Sequence, residues 1–170
     1  MRKTKGFTVV ELLVTLLVLG VLVVMVMRIG ENVTANSRIT GVINNFLADF
    51  SQAKLLASSE NRYIAITFSA DGRSYSLSRQ TDITDTTAWT QVRTVTPFSD
   101  RKFFSSVDVS DFAINSTGEV RPLPIDLTAS PSGITLGFII RKGRGLDTDA
   151  IAYKRTIQIF PYGGLKVEKH

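Results

Sequence analysis

The stretch "KTKGFTVVELLVTLLVLGVLVVMVM", residues 3–27, decides how the rest of the chain is read. From Phe7 to Met27 its only charge is Glu11, and only two threonines and one glycine break the apolar texture. Arg2, Lys3 and Lys5 precede the run and Arg28 follows it. About 21 residues at helical rise are enough to cross a hydrocarbon layer of roughly 30 Å. The spacing therefore predicts a membrane-spanning helix over 7–29. The cations in front predict a cytoplasmic N-terminus and an exported remainder. A carboxylate inside such a helix costs several kcal/mol unless something compensates it, which makes Glu11 a functional candidate.

Three readings compete for this segment. A secretory signal has a shorter apolar core, about 7–15 residues, and ends in a small-residue cleavage site. Here the apolar run reaches Met27 with no such site. A plain signal anchor fits the length but leaves Glu11 and the Gly6-Phe7 step without a reason. The third reading accounts for both. "KGFTVVELLVTLLVLGVL" resembles the prepilin leader of type IV pilins and type II secretion pseudopilins. In that family a membrane-embedded prepilin peptidase cuts after a glycine and methylates the new N-terminal residue. The resemblance implies cleavage between Gly6 and Phe7 and N-methylation of Phe7. It also implies that Glu11, the fifth mature residue, pairs with the Phe7 amine of a neighbouring subunit. Such a pair is strong in a low-dielectric setting, and either partner left alone there is costly.

The totals agree with an anchored domain. The chain has 170 residues, 44% hydrophobic and 21% charged, so one folded domain with an anchoring helix is the expected scale. Its formal charge of +5 is mostly a leader property. Without residues 1–6, 17 of the 20 cations remain against 15 acids, and only local patches can support binding to a polyanion. Zero cysteines exclude disulfides, thiolate metal sites and thiol nucleophiles.

Beyond Arg28 the helical period continues while hydrophobicity falls. Ile39, Val42, Ile43, Phe46, Leu47, Phe50, Ala53 and Leu56 recur at spacings of three and four, forming one apolar stripe. This predicts a single helix over 7–60 whose second half packs on a soluble domain. From residue 61 the texture is that of strands. "YIAITF" (63–68), the turn "ADGRS" and "YSLSR" (75–79) read as a hairpin, and "TDITDTTAWT" (81–90) reads as a polar connection. "TQVRTVTPF" (90–98), "KFFSSVDV" (102–109), "FAINSTGEVRPL" (112–123), "GITLGFII" (133–140) and "RTIQIFPYGGLKVE" (155–168) complete the pattern. The expected fold class is α+β: a long N-terminal helix packed on an antiparallel β-sheet domain spanning 61–170, as in pilins.

Two C-terminal features narrow the resemblance. "FAINSTGEVRP" is similar to the strand pair of the GspH/FimT group of minor pseudopilins, and "KRTIQIFPYGGLKVEK" to that group's closing pattern. The resemblance is strong over residues 1–30 and weak over 31–170. One departure stands out: the closing glycine-arginine reads Gly163-Gly164-Leu165-Lys166. Some members of the group are thought to bind DNA through basic residues near that segment. Arg141, Lys142, Arg144, Lys166 and Lys169 are the candidate phosphate contacts, with Lys154 and Arg155 nearby. The plain alternative is solvated strand ends, interrupted by Asp147, Asp149 and Glu168.

Catalytic patterns find no support. The one histidine is the terminal His170, and the acid pairs Asp82/Asp85 and Asp147/Asp149 lie in polar stretches without a recognisable partner. Two acids in "LDTDA" fall short of a calcium loop. No metal or cofactor is expected, and no enzymatic activity. The expected role is that of a minor pseudopilin, an assembly subunit at or near the tip of a type II secretion pseudopilus or type IV pilus. Its expected partners are other pilins, prepilin peptidase, the inner-membrane assembly platform and, before assembly, the lipid bilayer. Its expected location is the bacterial inner membrane, crossed once, with the C-terminal domain periplasmic. The alternative is a DNA-binding minor pilin of an uptake apparatus.

Overall fold

The structure, a computed structural model, describes residues 8–97, 110–141 and 151–169, with backbone alone at 26–36, 140–141 and 151–152. Two compact units form, Met1–Ser37 and Arg38–His170. Helix α1 is Val9–Glu60, against the expected 7–60.

In the first unit α1 opens on a capping box. Thr8 is the N-cap: its hydroxyl accepts from the Glu11 amide at 3.3 Å, while Glu11 Oε2 accepts from the Thr8 amide at 3.4 Å. Two otherwise orphaned N–H groups of the first turn are thereby answered. Further along, the Thr15 hydroxyl donates back to the carbonyls of Leu12 at 2.8 Å and Glu11 at 3.0 Å, hiding its polarity on an apolar surface. The large apolar side chains from Val9 to Met25 are all exposed. Among the described residues no helix is long and apolar enough to cross a membrane. The described side chains of the apolar run stop at Met25, so the end of the expected 7–29 span lies beyond them.

The second unit contains the later turns of α1 and two antiparallel sheets. Ile39, Val42, Ile43, Phe46, Phe50, Ala53 and Ala57 are buried, as the period of the stripe dictates, with Leu47 and Leu56 half-buried at its flanks. The helix stops at Asn61, which takes the left-handed conformation (φ 50°), while the Arg62 amide reaches back to the Ala57 carbonyl at 3.2 Å. This is a Schellman cap with asparagine in the usual glycine place.

Strands β1 (Ile64–Phe68), β2 (Tyr75–Asp82), β3 (Asp85–Val95), β4 (Phe112–Ile114) and β5 (Val120–Pro122) form a sheet in the order β3-β2-β1-β4-β5. Strands β6 (Ile134–Arg141), β7 (Ile151–Ile159) and β8 (Leu165–Lys169) form a second sheet in the order β6-β7-β8. Two expectations are corrected. Residues 81–90 are no connection: β2 and β3 cover them except for Ile83 and Thr84, because threonine and tryptophan suit a pleated surface despite their polarity. The closing segment is two paired strands rather than one. The Gly163 amide donates to Phe160 O at 2.9 Å and the Phe160 amide to Gly164 O at 2.8 Å, which folds β8 back along β7. The expected strand at 102–109 lies outside the described residues.

The sheets meet α1 at one aromatic side chain. The Phe46 ring lies 6.1 Å from Phe68 and 5.4 Å from Tyr75 in the five-stranded sheet, and 5.4 Å from Phe138 in the three-stranded one. The last two contacts are edge-to-face, the arrangement the ring quadrupoles favour. The sheets are also joined directly, by the Val120 amide donating to Pro161 O at 2.8 Å.

Candidate functional site

Of the expected processing residues, Gly6 and Phe7 lie outside the described residues, and Glu11 is described. Its carboxylate sits in the first turn of α1, where the partial positive charge of the helix end favours an anion. Its contacts with Thr8 are long: 3.4 Å from the amide and 3.5 Å from the hydroxyl. Glu11 is thus held by its own helix, but loosely. The Thr-x-x-Glu spacing at 8–11 was the available signal for this cap.

Only part of the expected basic set is described. Lys142 and Arg144 lie outside the described residues, and Arg141 is described by its backbone alone, at the end of β6. Lys166 on β8 pairs with Glu168 at 2.7 Å, two residues along the same face of the strand. Lys169 stands opposite Arg155 across the β7–β8 ladder, among the described residues the one place where the register sets two candidate cations side by side. Like charges opposite one another are mildly destabilising without an anion between them. Lys154 and Arg155 are half-buried and engaged within the fold.

The acid pair Asp82/Asp85 proves to be turn chemistry. The Asp82 carboxylate accepts from the Thr84 amide at 2.9 Å and its hydroxyl at 2.8 Å; Asp85 accepts likewise from Thr87 at 2.7 and 2.6 Å. Asp126 repeats the pattern with Thr128. These bonds, from backbone and side chain of one threonine, hold all three carboxyls below the ordinary carboxylate range. A carboxylate so anchored closes a turn and has no proton to exchange near neutrality. Asp147 and Asp149 lie outside the described residues. Among the described residues no three histidine, cysteine, aspartate or glutamate side chains converge to hold a metal ion.

One buried polar group was not foreseen. Asp49 is 5% exposed and sits on the stripe between Phe46 and Ala53. Its Oδ2 accepts from the Tyr75 hydroxyl at 2.5 Å, and Arg93 Nη2 lies 2.9 Å from its Oδ1. Burial first, and the bond to Asp49 second, push the Tyr75 hydroxyl far above its ordinary pKa, so it remains a donor. The signal was present in the spacing: Val42, Phe46, Asp49 and Ala53 share one helical face.

Residues 1–27 match the family model described as the prokaryotic N-terminal methylation motif. No curated protein and no solved structure matches the chain. The motif indicates a type IV pilin-like, prepilin-type protein that prepilin peptidase processes. It likewise implies membrane anchoring, incorporation into a filament, and partnership with other pilins.

Proposed function

We propose that this chain is a minor pseudopilin of the GspH/FimT group, a structural and assembly subunit with no catalytic activity of its own. It serves a type II secretion pseudopilus or type IV pilus, at or near the filament tip. Prepilin peptidase cuts between Gly6 and Phe7 and methylates Phe7. Before assembly the helix crosses the inner membrane once, with the second unit in the periplasm. In the filament Glu11 pairs with the Phe7 amine of a neighbour.

The observation that carries this reading is the match of residues 1–27 to the N-terminal methylation motif. The exposed apolar side chains from Val9 to Met25 support it, since a surface of that kind needs lipid or other helices. The test is the intact mass and N-terminal peptide of the protein purified from its native membrane. The expected chain begins at N-methylated Phe7. A chain that still begins at Met1, in cells with active peptidase, removes the processing account and returns the protein to plain anchored domains. The DNA-uptake reading gains nothing from the described cations, of which Lys166 is already paired.

A further inference from the structure

A cleft of about 460 Å³ opens in the second unit between α1 and the β4–β5 turn. Ser51, Lys54, Leu55 and Ser58 line it from the helix, and Ser116 and Thr117 from the turn; no acidic side chain lines it. Its volume is within the range of small-ligand sites.

Lys54 is the unusual member. Its ammonium is part-buried and donates to Gly163 O at 3.3 Å, and among the described residues it has no carboxylate partner. An ammonium carries three donors, so two remain beyond the bond to Gly163. Ammonium donors with no carboxylate partner can be met by an anion that reaches them.

The hydroxyls divide into two kinds. Ser51 spends its hydrogen on Leu47 O at 2.9 Å and Thr117 on Asn115 Oδ1 at 2.7 Å, so both present only lone pairs to a ligand. Ser58 and Ser116 make no hydrogen bond among the described residues and are free to donate. Leu55, 72% exposed, adds an apolar rim. The turn offers no cradle of amides for a phosphate, because the Thr117 and Gly118 N–H groups are spent on Asn115 Oδ1 and Asn115 O at 3.0 Å each. One cation, two donors, two acceptors and an apolar rim match a single negative charge attached to a backbone N–H and an apolar side chain.

We propose that this cleft captures the C-terminal carboxylate of an extended peptide segment ending in an apolar residue. Lys54 holds the carboxylate, with Ser58 and Ser116 donating to it. Ser51 and Thr117 accept the peptide N–H groups, and the last side chain lies on Leu55. Capture of a chain end by a fixed set of polar groups is an established mode of peptide recognition. The proposal does not rest on the pilin-like reading, and neither outcome of the mass measurement bears on it.

The test uses the full chain in detergent and fluorescence anisotropy with an N-terminally labelled Ser-Ala-Val-Leu peptide. Its C-terminal amide and inorganic phosphate are the comparison probes. The free-acid peptide is expected to bind, the amide at least about tenfold more weakly, and phosphate not to displace it; tenfold is a difference of about 1.4 kcal/mol. Lys54→Gln, which keeps the stem against Gly118, is expected to reduce acid binding to the level of the amide. Leu55→Asp, at an exposed position that leaves the fold intact, is expected to do the same through like charge. Equal affinity for acid and amide overturns the proposal. So does displacement by phosphate, unchanged affinity in both variants, or no binding of the acid up to about 1 mM, the weak end of specific recognition.

Discussion

Replacing Asp49 tests whether the helix is fastened to the sheet by a hydrogen bond or by an ion pair. Tyr75 is 1% exposed and donates to Asp49, whereas half of the Arg93 side chain (49%) remains in solvent. Asp49→Ala removes a charge-assisted bond from a buried hydroxyl together with the ion pair to Arg93, about 3 kcal/mol. Tyr75→Phe removes the same bond but leaves Asp49 with Arg93, for about 1.5–2 kcal/mol. Arg93→Ala removes a solvent-screened ion pair, for about 1 kcal/mol or less. For a domain of this size each kcal/mol moves the melting point by roughly 3–4 °C, so Asp49→Ala lowers it by about 10 °C.

The assay is urea unfolding in detergent followed by the fluorescence of Trp89, the only tryptophan, which stands on β3 opposite Gln80. The expected order of loss is Asp49→Ala, then Tyr75→Phe, then Arg93→Ala. If Arg93→Ala costs as much as Asp49→Ala, the charge pair carries the energy and the argument from burial fails. If Tyr75→Phe is neutral, the short bond contributes nothing and the same argument fails from the other side.

Gly163 has φ +74°, and a Cβ there would lie 2.8 Å from both Gly118 O and Lys54 Nζ, so Gly163→Ala is expected to cost at least about 1–2 kcal/mol in the same urea assay. Gly164→Ala meets only the Phe160 ring, at 3.3 Å, and is expected to cost less. Phe46→Ala removes the ring shared by both sheets and is expected to cost about 3–5 kcal/mol, the largest loss of the set. In an NMR titration the Asp85 carboxyl is expected to titrate below its ordinary 3.8, and Thr87→Val to move it part of the way back, since the Thr87 amide still donates. Because the folded pKa is the lower one, its contribution is present above the ordinary carboxylate pKa and lost as pH falls through the folded value. A Thr87→Val protein with unchanged Asp85 titration counts against the turn account.

The parts of the fold that rest on period were legible in the sequence. The stripe from Ile39 to Ala53 is buried as its spacing demands, and β1, β4, β5 and β6 fall where short β-branched and aromatic runs placed them. What escaped were features set by partners distant in sequence. Nothing local to residues 155–168 says that Phe160–Gly164 turns back against Gly118 and against Lys54, the latter 109 residues before Gly163. Likewise the polarity of 81–90 hides a strand, because its hydrogen bonds belong to β2, Thr84 and Thr87 donate to neighbouring aspartates, and Thr81 and Thr90 bond each other. Asp49 lay in plain view on an apolar face, yet only Tyr75 and Arg93 explain why a carboxylate can sit there. Of the candidate cations, Lys166 is paired with Glu168 and Lys169 stands opposite Arg155, while Lys142 and Arg144 lie outside the described residues.

Glu11 now has two accounts, and one substitution separates them. Within a single chain it completes the capping box with Thr8 and faces the positive end of the helix. The proposed cleavage after Gly6 would leave Thr8 and Glu11 intact and put a charged amine two residues before Val9, where the helix begins with an end that disfavours cations. A first-turn carboxylate relieves that within the subunit, with no neighbour required. The proposed assembly role instead needs the carboxylate to reach the amine of another subunit, and the long 3.4 and 3.5 Å contacts make little to give up. Glutamine at this position still completes a capping box but carries no charge. Glu11→Gln is therefore expected to be cleaved normally and to enter filaments as poorly as Glu11→Ala, read by immunoblot of the membrane and sheared-filament fractions. Normal incorporation of the glutamine variant beside a defective alanine variant would leave Glu11 as a helix cap alone. It would also end the case for intersubunit pairing, since the two side chains differ in charge and scarcely in shape.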